Sequence, residues 1–279
     1  MNRAAFDNIR VVLLNYQEPE TQQLYKKLVE STCQQCEEML KGKEIKGMVR
    51  GRIKKYTSLH EKLKIILKDP KVNPNFEASV SSVYKDPDMG DLAGVRIGLY
   101  FPDDILKVAK EIEKHFDIKY VFGTVRGGRD ATTDRNKDIQ KHMNGTWSSR
   151  GPEGTIQYWE HYGYKSWQVV VEWKGPQREE LESEMAEAGL WPHPLQPPLR
   201  VEIQVGTVVT QAWAEVQHNI IYKNPEDLLA TPSMIRIIDA VNGLAITTEI
   251  MLKELEQRLE QAKKERAMRL KGKLFWSAP

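Results

Sequence analysis

The 279-residue chain carries 41 Lys and Arg against 39 Asp and Glu, a formal charge of +2, which excludes a strongly basic nucleic-acid coat and makes any basic patch local. With 40% hydrophobic and 29% charged residues it is neither a mainly disordered chain nor a membrane-embedded one, and its length supports a core without a disulfide or metal staple. No window approaches the ~20 apolar residues of a spanning helix, and the apolar run near the start is too short for a secretory signal, so a cytoplasmic protein without membrane contact is expected.

The first forty residues read as two helical segments punctuated by Pro19 and Glu20. Cys33 and Cys36 form CQQC within the second segment. Lacking a preceding strand or further ligands nearby, they are expected to be ordinary reduced thiols. A basic turn holding Arg50, Arg52, Lys54 and Lys55 leads into a helix with Leu59, Leu63, Ile66 and Leu67 on one stripe. Leu92 to Phe101 alternates as an interior strand, with Val95, Ile97 and Leu99 on one side. Asp103 is placed to cap the next helix, whose apolar stripe is Ile105, Val108, Ala109, Ile112 and Phe116, and IKYVFG follows as a strand.

Gly123 to Gly163 is Gly-rich and long for a connection, which leaves open a mobile substrate loop or a poorly ordered insertion. Tyr164 to Trp173 returns to strand character. A polar helix over Arg178 to Glu187 and the proline-studded WPHPLQPPL are expected to form an inserted arm outside the core. In RVEIQV, Val201, Ile203 and Val205 take one face while Arg200, Glu202 and Gln204 take the other, so a carboxylate is presented from a rigid strand. A helix with Val209, Trp213, Val216 and Ile220 follows. Beyond Pro232, Ile238, Val241, Ala245, Thr248, Leu252, Leu255 and Leu259 repeat at alternating three and four, a seam that wants either the domain itself or another subunit. The KKERAMRLKGK end is expected to be a solvated helical tail.

Motifs for P-loop, dinucleotide-fold, zincin and serine-hydrolase chemistry are missing. Two acids at strand positions remain, Asp91 and Glu202, together with the basic residues around Arg52. Paired carboxylates can hold Mg²⁺ and nearby cations can neutralise a polyphosphate, the ingredients of phosphoryl transfer. The order GRIKKYTSLHEKL, DLAGVRI, HYGYKSWQVVV, VEIQVGT and AWAEVQHNIIYK resembles the synthetase domain of the RelA/SpoT family, the (p)ppGpp synthetases, over roughly Met48 to Lys223. The hydrolase motif and the regulatory domains of the long family members are not matched, so the chain looks like a small alarmone synthetase.

That resemblance implies an α/β fold with a mixed, mostly antiparallel sheet flanked by helices, a nucleotidyltransferase-like core at 48–223 with inserted segments near 123–163 and 174–199. N-terminal helices at 1–47 and a C-terminal helical extension at 224–279 complete the expected organisation. It implies transfer of pyrophosphate from ATP to the 3′-hydroxyl of GDP or GTP with release of AMP. Arg52, Lys54 and Ser58 would bind ATP, Asp91 and Glu202 would hold Mg²⁺, and Glu202 would also help activate the hydroxyl. Tyr164, Lys165, Gln168 and Gln204 would line the acceptor pocket, and His218 and Lys223 would shape the site. It also implies a homo-oligomer built through the C-terminal helices.

Four positions depart from the family pattern: Lys165 and Gln168 where GYRSxH is usual, Gly206 where Arg follows IQI, and Gln217 before the helix His. All fall on the acceptor side. The rival readings are therefore an adenine nucleotide or a tRNA 3′ end as acceptor, the latter with a basic groove from Arg126, Arg129, Arg135, Lys137 and Lys141, or a pseudo-synthetase that binds nucleotides without turnover.

Overall fold

In the computed structural model the described residues are 3–68, 74–122, 149–150, 156–157, 167–195, 197–217 and 232–276. Two amphipathic helices open the chain, α1 (Arg3–Gln17) and α2 (Pro19–Gly42), with Pro19 at the first helical turn where its missing N–H costs nothing. Strand β1 (Gly47–Ile53) leads to α3 (Tyr56–Lys68), and the short helices α4 (Pro74–Ala78) and α5 (Val80–Lys85) precede a 3₁₀ turn at Pro87–Met89. Then come β2 (Ala93–Leu99), α6 (Asp104–His115) and β3 (Phe116–Phe122). A two-residue pair, β4 (Ser149–Arg150) and β5 (Ile156–Gln157), stands apart from the main sheet. The chain continues through β6 (Trp167–Trp173), α7 (Gly175–Glu187), β7 (Arg200–Thr207), α8 (Val208–Gln217) and the 45-residue α9 (Pro232–Trp276).

The five main strands run in the order β1-β2-β7-β6-β3, with β2 and β7 parallel and the other three pairings antiparallel. The mixed α/β class read from the sequence is the one observed. Residues of odd number on β2, β6 and β7 form the core face: Val95, Ile97, Leu99, Trp167, Val169, Val171, Val201, Ile203 and Val205 are all buried. Helices α2 and α6 cover that face, and the apolar stripes of α1 and α2 join the same core. The fit is close at β1, where a Cβ on Gly51 would meet Val29 Cγ1 at 2.2 Å and Cys33 Sγ at 2.9 Å. Both cysteines are free, and burial raises their thiol pKa values, that of Cys33 to about 11.

Four expectations are corrected. The basic turn is instead mostly edge strand, because Gly47 to Ile53 pairs residue for residue with Ala93 to Leu99. Asp103 makes no side-chain cap; it pairs with Lys253 at 3.2 Å, and the first-turn N–H groups of Asp104 and Ile105 donate instead to the carbonyls of Phe101 and Pro102. Phe116 begins β3 rather than ending the helical stripe, though it is buried as expected. The proline-rich arm belongs to the core: Leu190, His193 and Leu199 are buried, and His193 Nδ1 accepts from Leu195 N at 3.2 Å. That bond leaves Nε2 as the protonated nitrogen, donating to Thr21 Oγ1 on α2 at 3.1 Å.

Helix α9 divides the predicted seam. Ala245 is buried beside Trp213, and Glu249 accepts from Thr207 Oγ1 at 2.6 Å, so one stripe docks on α8 and the end of β7. A second stripe, Ile237, Val241, Leu244, Met251 and Leu255, stays exposed. Among the described residues no helix is long and apolar enough to cross a membrane.

Candidate functional site

Alternation along the strands sends Arg50, Arg52, Gly94, Arg96, Gly98, Glu202 and Gln204 to the face opposite the core. The register then decides which of them meet. Arg52 lies opposite Gly94, and Gly94 lies opposite Glu202. Since Gly94 has no side chain, Arg52 lies over it and reaches the next strand, donating from Nη2 to Glu202 Oε2 at 3.2 Å. A Cβ at Gly94 would sit 3.1 Å from Arg52 Nε and 3.2 Å from its Cγ, so any larger residue here presses on the Arg52 side chain. Arg52 Nε is buried and has no hydrogen-bond partner among the described residues.

Gln204 Nε2 donates to the same Glu202 oxygen at 2.9 Å, and its Oε1 accepts from Arg96 Nε at 3.2 Å. Arg96 in turn pairs with Glu215 on α8. Both bonds to Glu202 fall on Oε2; among the described residues no donor holds Oε1. The carboxylate is thus fixed in orientation with one oxygen still available.

The second carboxylate is Asp91, just ahead of β2. Lys54 bonds its Oδ2 and Lys62 bonds its Oδ1 at 3.1 Å. Burial pushes the Asp91 carboxyl up, but Lys62 and Lys54 together outweigh that and hold it below the usual carboxylate range. Burial also lowers the Lys54 ammonium, against the pull of Asp91. Lys62 further donates to the carbonyl of Asp88, tying α3 to the turn that delivers Asp91. The two ion pairs are neighbours: Arg52 acts electrostatically on Lys54, and Tyr16 feels both Asp91 and Arg52.

The face is bounded at both ends. Helix α8 crosses it over Gly98, where a Cβ would meet Gln211 Oε1 at 2.8 Å. At the other end Gly90 packs on Val170, and Arg200 holds the carbonyl of Lys85.

Of the residues singled out from the sequence, Arg52, Lys54, Asp91, Glu202 and Gln204 are brought together, and Gln168 lies directly opposite Gln204 in the β6/β7 register. Ser58 is in the first turn of α3, one helical turn before Lys62 and on the same side. Tyr164, Lys165, His218, Lys223 and the predicted loop cations lie outside the described residues. Sequence reading missed Lys62 and Arg96. Arg96 was recoverable, since it alternates with the buried Val95 and Ile97, whereas Lys62 is fixed only by how α3 packs.

A divalent ion implied by the resemblance can be tested against these donors. Among the described residues no group of three or more His, Cys, Asp or Glu gathers, so a cage made wholly of protein is not on offer. Mg²⁺ does not need one: it commonly takes one or two carboxylates and completes its shell with water and substrate phosphate. Glu202, with one oxygen free, fits that demand, and the ionised Asp91 would join it by exchanging a lysine bond for the ion.

A sequence profile of the region found in RelA/SpoT proteins matches residues 51–227, more than half of the chain. The chain belongs to the RelA/SpoT family. The match spans β1 through the end of α8 and so takes in Arg52, Lys54, Lys62, Asp91, Arg96 and Glu202. No curated protein sequence matches the chain. Among solved structures, the fold of this RelA/SpoT protein is similar to that of a GTP pyrophosphokinase family protein from Streptococcus pneumoniae, with 18% identity, 86% of this chain and 93% of that one covered, and a TM-score of 0.53. Small alarmone synthetase 1 from Bacillus subtilis gives 17% identity, coverage of 85% and 95%, and a TM-score of 0.52. The same enzyme bound to its product pppGpp gives 18% identity, coverage of 85% and 94%, and a TM-score of 0.50. At these identities the likeness establishes a shared fold.

Proposed function

We propose that the chain is an ATP:nucleotide 3′-pyrophosphokinase that makes (p)ppGpp. The observation that carries this reading is the pairing of two carboxylates with separate cations on one face: Glu202 with Arg52, and Asp91 with Lys54 and Lys62. Family membership and the fold shared with alarmone synthetases support it.

In the reaction, a 3′-hydroxyl oxygen of GDP or GTP attacks the β-phosphorus of ATP, the bond from that phosphorus to the α,β-bridging oxygen breaks, and AMP leaves. Glu202 takes the hydroxyl proton on Oε1 while Arg52 and Gln204 hold Oε2 and keep the carboxylate aimed. Arg52, Lys54 and Lys62 are the cations available to the triphosphate, with Ser58 beside them, and their rigid mounting on β1 and α3 keeps the charge from having to reorganise. Asp91 and Glu202 would hold Mg²⁺, which when bound supplies positive charge to the phosphate oxygens. Tyr164, Lys165 and Gln168 are assigned to the acceptor, and His218 and Lys223 to shaping of the site. The exposed stripe of α9 is assigned to assembly with further copies of the chain.

Incubation with Mg²⁺, β-labelled ATP and, in separate arms, GDP, GTP, adenine nucleotides or tRNA tests this directly. Labelled (p)ppGpp and stoichiometric AMP are expected only in the guanine-nucleotide arms. Label on an adenine nucleotide or tRNA redirects the acceptor, and no transfer in any arm ends the enzymatic reading.

A further inference from the structure

A cavity of about 290 Å³ opens where β6 leaves the sheet and β7 enters it. Trp191, Pro197 and Pro198 from the proline-rich segment give it flat, apolar walls. Lys85, Arg178 and Arg200 bring three cations to its lining against one carboxylate, Glu172. That carboxylate is already neutralised: Arg200 Nε bonds it at 2.7 Å and Lys119 Nζ lies 3.3 Å away. Arg200 is itself immobile, since Nη1 donates to the carbonyl of Lys85 at 2.5 Å and its guanidinium lies 5.4 Å from the centre of the Tyr120 ring. Lys85 is exposed, and its ammonium has no partner among the described residues. Among the described residues Arg178 is held only by Glu182, in an i,i+4 pair that is partly exposed. Two cationic heads are therefore available to an incoming anion at the rim of an aromatic and pyrrolidine cleft.

We propose that this cavity is a second ligand site, apart from the Glu202 cluster, for a small aromatic anion of the nucleoside-monophosphate class. The volume stands at the lower end of the range for small-molecule sites, which suits a mononucleotide. A planar base gains by stacking on Trp191, and the phosphate gains charge-assisted bonds from Lys85 and Arg178. Among the described residues the walls hold no side-chain amide or hydroxyl to read base edges, so adenine and guanine are expected to be accepted alike. The site has a built-in route to the catalytic face. Lys85 ends α5, and the six positions from it to Asp91 are pinned by Arg200 at Lys85, by Val170 under Gly90 and by Lys62 at Asp88. A ligand that pulls on Lys85 pulls on the segment that delivers Asp91.

Calorimetric titration of the full chain carrying Arg52→Ala and Glu202→Gln, which disables the catalytic cluster, isolates this cavity. AMP and GMP are expected to bind saturably and within a few-fold of each other. Adding Lys85→Ala is expected to weaken both about tenfold, as loss of one charge-assisted bond implies. Guanosine and inorganic phosphate, each lacking half of the recognition, are expected to be weaker by about tenfold or more. Trp191→Leu gives a similar loss for the nucleotides; if that variant does not fold, the exposed Lys85→Ala still decides the matter. The proposal is overturned by no binding, by binding that Lys85→Ala leaves unchanged, or by inorganic phosphate binding as tightly as AMP.

Discussion

The two faces of the sheet are made by the same strands and obey opposite rules. On the core side, Val201, Ile203 and Val205 are fully buried and contribute stability through apolar contact, which is non-directional and tolerant of small changes in aim. On the other side, one residue along, Glu202 and Gln204 are half-buried and each hydrogen bond has a defined partner, Arg52 and Arg96 on other strands and each other along β7. Glycine also means different things on the two sides. Gly51 admits helix α2 to the core face, while Gly94 clears the way for the Arg52 side chain on the open face. The difference teaches that stability and chemistry here are separated by strand parity, so adjacent residues are expected to fail in opposite ways when mutated.

The largest expected effect is on chemistry alone. Glu202→Gln keeps the shape and the bonds to Oε2 but removes the base, and pyrophosphate transfer is expected to fall by about 10²- to 10⁴-fold with an unchanged circular dichroism spectrum. A variant as active as wild type would overturn the assignment of Glu202. Its neighbour is the mirror case: Ile203→Ala is expected to cost about 2 to 5 kcal/mol of stability in urea unfolding. Any folded fraction of that variant keeps its turnover per active molecule, and a selective loss of turnover would show that the faces are not independent. The exposed stripe of α9 separates assembly from both. Leu244→Glu with Met251→Glu is expected to lower the mass seen in sedimentation to that of one chain, and a wild type already monomeric would refute that role.

Gly94→Ala sharpens the comparison further, because the new Cβ presses on the Arg52 side chain rather than on backbone. An increase of about tenfold in the KM for ATP is expected, from displacement of a single charge-assisted contact, with little change in unfolding.

The smallest effect lies where α9 meets α6. Burial, then Asp104 and Asp103, raise the Glu256 pKa against the counter-pull of Lys107 at 3.8 Å. The folded state therefore holds its proton more tightly than the unfolded chain, and stability declines as pH rises through the folded pKa. Glu256→Gln mimics the protonated form, so a gain of about 0.5 kcal/mol is expected at neutral pH, fading as the pH drops through the carboxylate range. A gain that persists in acid would mean that charge is not its source.

What the sequence by itself determined was local and periodic. The twofold alternation of RVEIQV announced that Glu202 faces away from Val201 and Ile203, the same alternation in LAGVRI made Arg96 readable, and helical spacing found the stripes of α3 and α6. The order of motifs pointed to the RelA/SpoT family before any coordinates. What only the tertiary structure decided was partnership at long range. Arg52 and Glu202 are 150 positions apart, and their meeting depends on β2 running antiparallel to one neighbour and parallel to the other, with a glycine between them. Lys62 reaches Asp91 only because α3 packs where it does, and the WPHPLQPPL segment looked like an outlying arm because proline spacing says nothing of what it will cover. The single predicted seam of α9 resolved into a docked stripe and an exposed one for the same reason: periodicity fixes which residues share a side of a helix, and the surface that the helix lands on fixes which side is buried.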